Sequence, residues 1–231
     1  MFSMLVKARR LCLPIDIQCD LFDKMIVPII LYGSEVWGFH TTEMLEVFYR
    51  KFIKNVLKLN KSTPSGMVYG EVGKLCLQTK MDKYIISFWL RLIVKENTTL
   101  VQNAYALSYQ LFMHGNYQSL WLTKVKTVLD HCGMSYIWEN QHLIDTVKVK
   151  AIVHRRIDDI EVQKWHTSIS TSSMCSMYNN FKTELQFEKY LLLSDCKSRI
   201  QISKFRCRNT KLPIKTHVYL ESSNICHLCE N

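Results

Sequence analysis

Cys226-His227-Leu228-Cys229 has the spacing at which two thiolates can meet one tetrahedral ion. Zinc needs four ligands, so this C-x2-C is half of a site. His217 is the nearest upstream candidate for a third ligand and Cys207 a weaker one. The chain therefore carries no cofactor of its own, and zinc would bind Cys226 and Cys229 only if further ligands followed Asn231. Asp158-Asp159 has the composition of a paired metal-binding carboxylate site, which needs a tight hairpin to aim both groups at one Mg²⁺ pair. Here the pair lies in HRRIDDIEVQKW, with Ile157 and Ile160 at helical spacing and Arg155-Arg156 just before it. That pattern describes a solvated helix face with its own counter-charges. His154 and His166 lie twelve positions apart, and His114, His131 and His142 stand singly, as partly buried histidines do more often than ligands or bases. No G-x-S-x-G, H-E-x-x-H, Walker loop or G-x-G-x-x-G is present, and no residue is assigned a catalytic role.

Two cationic sets remain. In residues 43–61, Leu45, Phe48, Phe52, Val56 and Leu59 recur at steps of three or four, which predicts a helix with one buried stripe. Lys51, Lys54, Lys58 and Lys61 then fall on roughly the opposite face. Glu43 and Glu46 in the first turn suit the helix dipole. The second set runs from Lys197 and Arg199 through Lys204, Arg206, Arg208 and Lys211, interleaved with Ile200, Ile202, Phe205 and Leu212. This alternation would let an apolar side pack while the cations face phosphates. For both sets the plainer reading is a solvated basic face.

The elements that must position these sets are helical. Only seven glycines and four prolines punctuate 231 residues, too few for a turn-rich sandwich or barrel. The pattern predicts a mainly α protein, a helical bundle or array ending in a short irregular basic C-terminal segment. Residues 1–12 open in the middle of an amphipathic pattern, as though something once preceded them. A helix from Asp16 is expected to break or kink at Val27 before Pro28. Further helices are expected over 80–95, over 97–115 with Asn97 or Thr98 as cap, over 119–131, over 140–165 and over 179–192. The Ser/Thr-rich stretch 167–173 is the clearest linker.

Net charge is +10, concentrated toward the end: residues 197–220 hold seven Lys/Arg and no acid. Charge alone leaves nucleic acid and an acidic membrane as partners. No apolar stretch approaches bilayer-spanning length, since 25–32 contains Pro28 and 85–94 contains Arg91. Nine cysteines, an odd number without a disulfide framework, and the lack of a signal-like leader favour an intracellular, reducing setting, nuclear or cytoplasmic.

Three blocks together resemble the C-terminal part of the reverse transcriptase of LINE-type (non-LTR) retrotransposons. They are LPIDIQCDLFDKMIVPIILYGSEVWG (13–38), with its Leu-Tyr-Gly and Glu-x-Trp-Gly; KLNKSTPSGMVYGEVGKLCL (58–77); and SRIQISKFRCRNTKLPIKTH…ICHLC (198–229). The resemblance covers most of the chain and is strongest at 13–77 and 198–229. It implies a thumb-like helical region over 1–77 and a post-thumb helical region over 78–166. A linker and helix over 167–195 and a basic tail with an incomplete zinc-knuckle-like end over 196–231 would follow. The family's F/Y-x-D-D hairpin lies upstream of the thumb and is not in this sequence. Its terminal knuckle continues with a His and a Cys that are also absent.

The resemblance thus implies a fragment of an RNA-directed DNA polymerase that is not itself an enzyme. The expected role is to hold RNA, an RNA–DNA hybrid or DNA through backbone phosphates, beside a missing palm and fingers. The residues expected to do so are Lys51, Lys54, Lys58, Lys61, Lys204, Arg206, Arg208 and Lys211. The alternative is a relic, or an exapted helical protein-interaction module using apolar surface that once packed on the palm.

Overall fold

A computed structural model describes residues 13–40, 43–93, 99–115, 117–141 and 145–208. The protein is a mainly α-helical array. Its helices are α1 (Ile15–Leu21), α2 (Val27–Ile30), α3 (Ser34–Trp37), α4 (Glu43–Leu57), α5 (Ser65–Val72) and α6 (Leu77–Leu92). They continue as α7 (Leu100–Met113), α8 (Leu120–His131), α9 (Ser135–Glu139), α10 (Thr146–Thr171), α11 (Ser176–Asn179) and α12 (Cys196–Arg206). Among the described residues there is no strand, only an isolated antiparallel bridge between Val72 and Phe187.

Two long helices connect the cores. One core gathers Phe22, Ile26, Tyr49, Phe52, Ile53, Leu57, Val68 and Leu77 from the first half. A second packs Trp89, Leu122, Val125, Leu129, Trp138, Val153 and Ile157. Helix α6 enters the first core with Leu77 and Met81 and the second with Ile85, Ile86 and Trp89. Helix α10 leaves the second core and reaches a third, where Trp165 and Ile169 meet Met67, Cys175, Tyr178 and Cys207. Trp165 Nε1 donates to the Gly66 carbonyl at 2.8 Å and fixes that end of α10 on α5. Gly70 is required there, since a Cβ at this position would lie 2.4 Å from the Tyr178 hydroxyl and 3.1 Å from the Trp165 ring.

Several local expectations are refined or corrected. The expected break or kink near Val27 takes the form of a π-helical turn over Phe22–Ile26, after which α2 begins at Val27 and takes Pro28 in its first turn, where a missing N–H is tolerated. In α4 the expected stripe does face the core, with Phe52 and Val56 buried and Leu45, Phe48 and Leu59 packed half-buried against it, while Tyr49, Ile53 and Leu57 widen the buried side. Phe22 meets this side by stacking on Phe52 (centroids 3.9 Å apart) and Tyr49 (5.5 Å). Helix α7 is capped by Thr99, whose hydroxyl accepts from the Gln102 amide in a full capping box.

The supposed linker 167–173 is helical through Thr171. Thr167, Ser168 and Thr171 hydroxyls donate to carbonyls one turn back, and Ile169 is buried. Conversely, 179–192 is not one helix. Backbone pairing of Val72 with Phe187, and of the Glu188 amide with the Glu71 carbonyl at 3.1 Å, holds much of it extended against α5. The basic segment expected to be irregular begins as helix α12, started by Asp195, whose carboxylate accepts from the Lys197 and Ser198 amides.

Candidate nucleic-acid interface

Helix α4 ends at Leu57, one turn earlier than a continuous lysine face would need. Lys58 adopts φ +56°, and the Leu59 amide donates to the Lys54 carbonyl at 2.9 Å, closing a Schellman-type C-cap with lysine where glycine is usual. Only Lys51 and Lys54 therefore lie on the helix; Lys58 and Lys61 continue the cationic cluster from the turn beyond it. Lys51, Lys58 and Lys61 are exposed. Lys54 is half-buried, donating from Nζ to the Lys61 carbonyl at 2.7 Å. Burial first, and then the neighbouring Arg50 guanidinium, hold its ammonium below the ordinary lysine range. None of the four makes an ion pair among the described residues. Lys24, Lys74, Lys80, Lys83, Lys124 and Lys164, by contrast, each hold a carboxylate.

The second cationic set is corrected more strongly. On a helix, Arg199, Ser203 and Arg206 share one face, and that face turns inward. Arg206 Nε donates to both carboxylate oxygens of Glu71 at 3.0 and 3.1 Å, and its Nη2 lies 3.2 Å from Glu188. Its guanidinium also covers the Phe181 ring at 4.6 Å. Burial pulls its pKa down, but Glu71 and Glu188 outweigh that and raise it. Arg206 is thus a structural cation rather than a phosphate contact. Arg208, half-buried, directs Nη1 to the Met174 carbonyl at 3.4 Å, and Lys204 is half-buried on α12. Lys211, His217, Cys226 and Cys229 lie outside the described residues. Cys207, the weaker third-ligand candidate, is buried in the third core, where burial and then Glu71 push its thiol pKa far up.

One residue of each cationic set, Lys58 and Arg199, lines a common cleft. A small cleft of about 80 Å³ between α1, the end of α4 and the start of α12 is lined by Gln18, Asn55, Lys58, Cys196 and Arg199, with Leu13, Ile15, Val56 and Ile200 as apolar walls. Sequence reasoning left Arg199 out of the candidate set. The signal was present in Asp195 and Ser198, an N-cap pattern that starts a helix and puts residues 199, 203 and 206 on one face.

Other chemistry-bearing groups are held in structural pairs. Asp158 sits mid-helix on α10, 2.6 Å from Lys83, and exposed Asp159 faces Arg155. His154 Nε2 lies 3.0 Å from Ser87 Oγ, with its pKa lowered by burial and then by Lys83. A larger groove of about 520 Å³ between α4, α5, α6 and α10 carries Glu43, Glu46, Arg50, Tyr69, Cys76 and Glu161. Glu46 accepts there from the Tyr69 hydroxyl at 2.6 Å and the Gln78 amide at 2.9 Å. The Cys76 thiol donates to Glu161 at 3.1 Å, and burial and that carboxylate push its pKa up to about 12, far from a nucleophilic thiolate. Among the described residues no cluster of three His, Cys, Asp or Glu could hold a metal ion, and no helix is long and apolar enough to cross a membrane. No protein-family model matches the chain, and neither characterised proteins nor solved structures give a significant match.

Proposed function

We propose that this chain holds nucleic acid through backbone phosphates, as the thumb and post-thumb part of a LINE-type reverse transcriptase would, and catalyses no step itself. The observation that supports it is the lysine cluster Lys51, Lys54, Lys58 and Lys61, four cations close in sequence and without an ion pair among the described residues, whereas Lys74, Lys80, Lys83 and Lys124 each hold a carboxylate. Like-charge crowding is itself unfavourable, and a polyanion relieves it. Contacts of this kind read charge and spacing rather than base identity, so RNA, RNA–DNA hybrid and DNA should all bind. Fluorescence anisotropy with a labelled RNA–DNA duplex tests the reading. Binding should weaken steeply with salt, with log K falling by about 0.9 per log unit for each phosphate neutralised. No binding at low salt would remove the proposal.

A second reading has its own observation. Met25, Ile29, Tyr32 and Val36, spread over the π-helical turn, α2, the turn after it and α3, are all exposed, Tyr32 at 85% and Ile29 at 61%. Exposed apolar side chains of this kind suit a helical interaction module, docking on another chain or on a second copy. Sedimentation velocity across a concentration range, repeated with Ile29→Lys and Tyr32→Lys, tests the second-copy case. Self-association that the variants abolish would move this reading ahead.

A further inference from the structure

Arg199 is only 4% exposed, yet its Nε has no hydrogen-bond partner and its guanidinium makes no ion pair among the described residues. An arginine so buried is normally matched by a carboxylate or by several carbonyls, because an uncompensated charge in an apolar setting is costly. The nearest acid along the helix, Asp195, is already engaged as the α12 N-cap by two amides and the Ser198 hydroxyl. Arg199 instead lines the 80 Å³ cleft, together with Lys58, Asn55 and the Gln18 amide. Gln18 Nε2 donates to the Leu13 carbonyl at 2.7 Å, which fixes the amide at the cleft wall. No carboxylate side chain lines this cleft, in contrast to the larger groove with Glu43, Glu46 and Glu161.

We propose that this cleft is a binding site for a single phosphate group, with Arg199 as its buried anchor and Lys58 as the exposed cation at its mouth. The space, about 80 Å³, has room for a tetrahedral anion or for several waters. The apolar walls Ile15, Val56 and Ile200 lower the local dielectric and strengthen the pairing. The planar guanidinium provides the fork that phosphate oxygens match. The left-handed backbone at Lys58 follows from the C-cap that places this lysine at the cleft. The phosphate would come from a nucleic-acid backbone if the holding role above is right, or from a free phosphate if it is not; only the first source rests on that reading.

The test follows the Arg199 Nε–H resonance in the full chain, because that atom lacks a partner. Inorganic phosphate at constant ionic strength should move this resonance saturably, whereas chloride should not. Lys58→Gly removes the cation at a position whose φ glycine accepts without strain, so folding should persist while phosphate affinity falls about three- to tenfold. Arg199→Lys keeps the charge but loses the fork, and should weaken phosphate binding at least tenfold, with near-UV circular dichroism confirming the fold. A resonance that phosphate leaves in place, or affinity unchanged in Lys58→Gly, overturns the proposal. A second arm titrates an RNA–DNA duplex. Loss of duplex affinity in Arg199→Lys identifies the backbone as the source. A phosphate response without duplex binding supports the cleft and removes the holding role. Duplex binding that leaves the Arg199 resonance unmoved, while inorganic phosphate moves it, supports both the holding role and the cleft and makes free phosphate the source.

Discussion

Replacing Arg206 by methionine separates a structural arginine from a ligand-facing one. The Glu71 side chain is fully buried and receives Arg206 Nε on both oxygens, with the Tyr190 hydroxyl as a further donor. Methionine preserves much of the apolar stem but leaves the carboxylate without its cation. Breaking a buried pair by removing one partner typically costs about 3–5 kcal/mol. Arg206 is itself 18% exposed and Tyr190 remains, so the lower part of that range, about 3 kcal/mol, is expected. Loss of the guanidinium over Phe181 adds about 0.5–1 kcal/mol. Urea unfolding at pH 7 should register this as a lower midpoint with an unchanged slope. Adding Glu71→Gln should recover part of the loss, since the two sites share one interaction. A change within about 0.5 kcal/mol, the usual result for an exposed residue, combined with weaker nucleic-acid binding, would refute the inward assignment.

Other expectations follow from the same packing. Gly70→Ala drives a methyl against the Tyr178 hydroxyl and the Trp165 ring and should cost about 1–3 kcal/mol by overpacking, read by thermal unfolding. Asp23 is held below the usual carboxylate range: burial opposes this, but Lys74 and Lys80 at 2.7 and 3.0 Å prevail. Its contribution is present above the unfolded pKa and lost as pH falls through the lower folded pKa, so Asp23→Asn should weaken the protein at pH 7 and matter little in strong acid. Lys51→Glu and Lys61→Glu should weaken nucleic-acid binding evenly across sequences and reduce the salt slope by about one each, with little change in unfolding. Among the described cysteines, exposed Cys196 should alkylate in the native protein well before buried Cys19, Cys132, Cys175 and Cys207, as peptide mapping would show.

The helical class was legible because it rests on quantities that sum along the chain: few glycines and prolines, and apolar residues at steps of three and four. Stops were legible where one residue decides them, as at Gly115 and Gly133, both with positive φ. Errors arose where distant contacts overrule local preference. Pairing of Phe187 with Val72 drew the 179–192 stretch away from a helix, and back-bonding hydroxyls carried α10 through Thr171. At the candidate site, the lysines could be found from charge and spacing. That Lys58 and Lys61 lie beyond the helix end could not, because nothing in residue type announces a lysine at φ +56°.

Arg199 and Arg206 show how little charge alone says about role. Both are arginines of the same helix, seven positions apart, and both turn inward. What separates them is the opposing surface. Glu71 and Glu188 meet Arg206, so its charge is neutralised within the protein and stabilises the seam between α5 and α12. Arg199 shares its cleft with Gln18, Asn55 and Lys58, a lining with a second cation but no carboxylate. The first arrangement is complete without a partner, whereas the second has no direct ion pair among the described residues, only the more distant attraction of the capping Asp195 carboxylate, and is favourable once an anion enters. A substitution that supplies the anion internally makes the distinction measurable. Ile200→Glu adds a carboxylate at the cleft wall next to Arg199. It should stabilise the fold and abolish the response to phosphate, while a similar carboxylate at exposed Phe205 should do neither. If Ile200→Glu destabilised the protein and left the phosphate response intact, Arg199 would be no anion anchor.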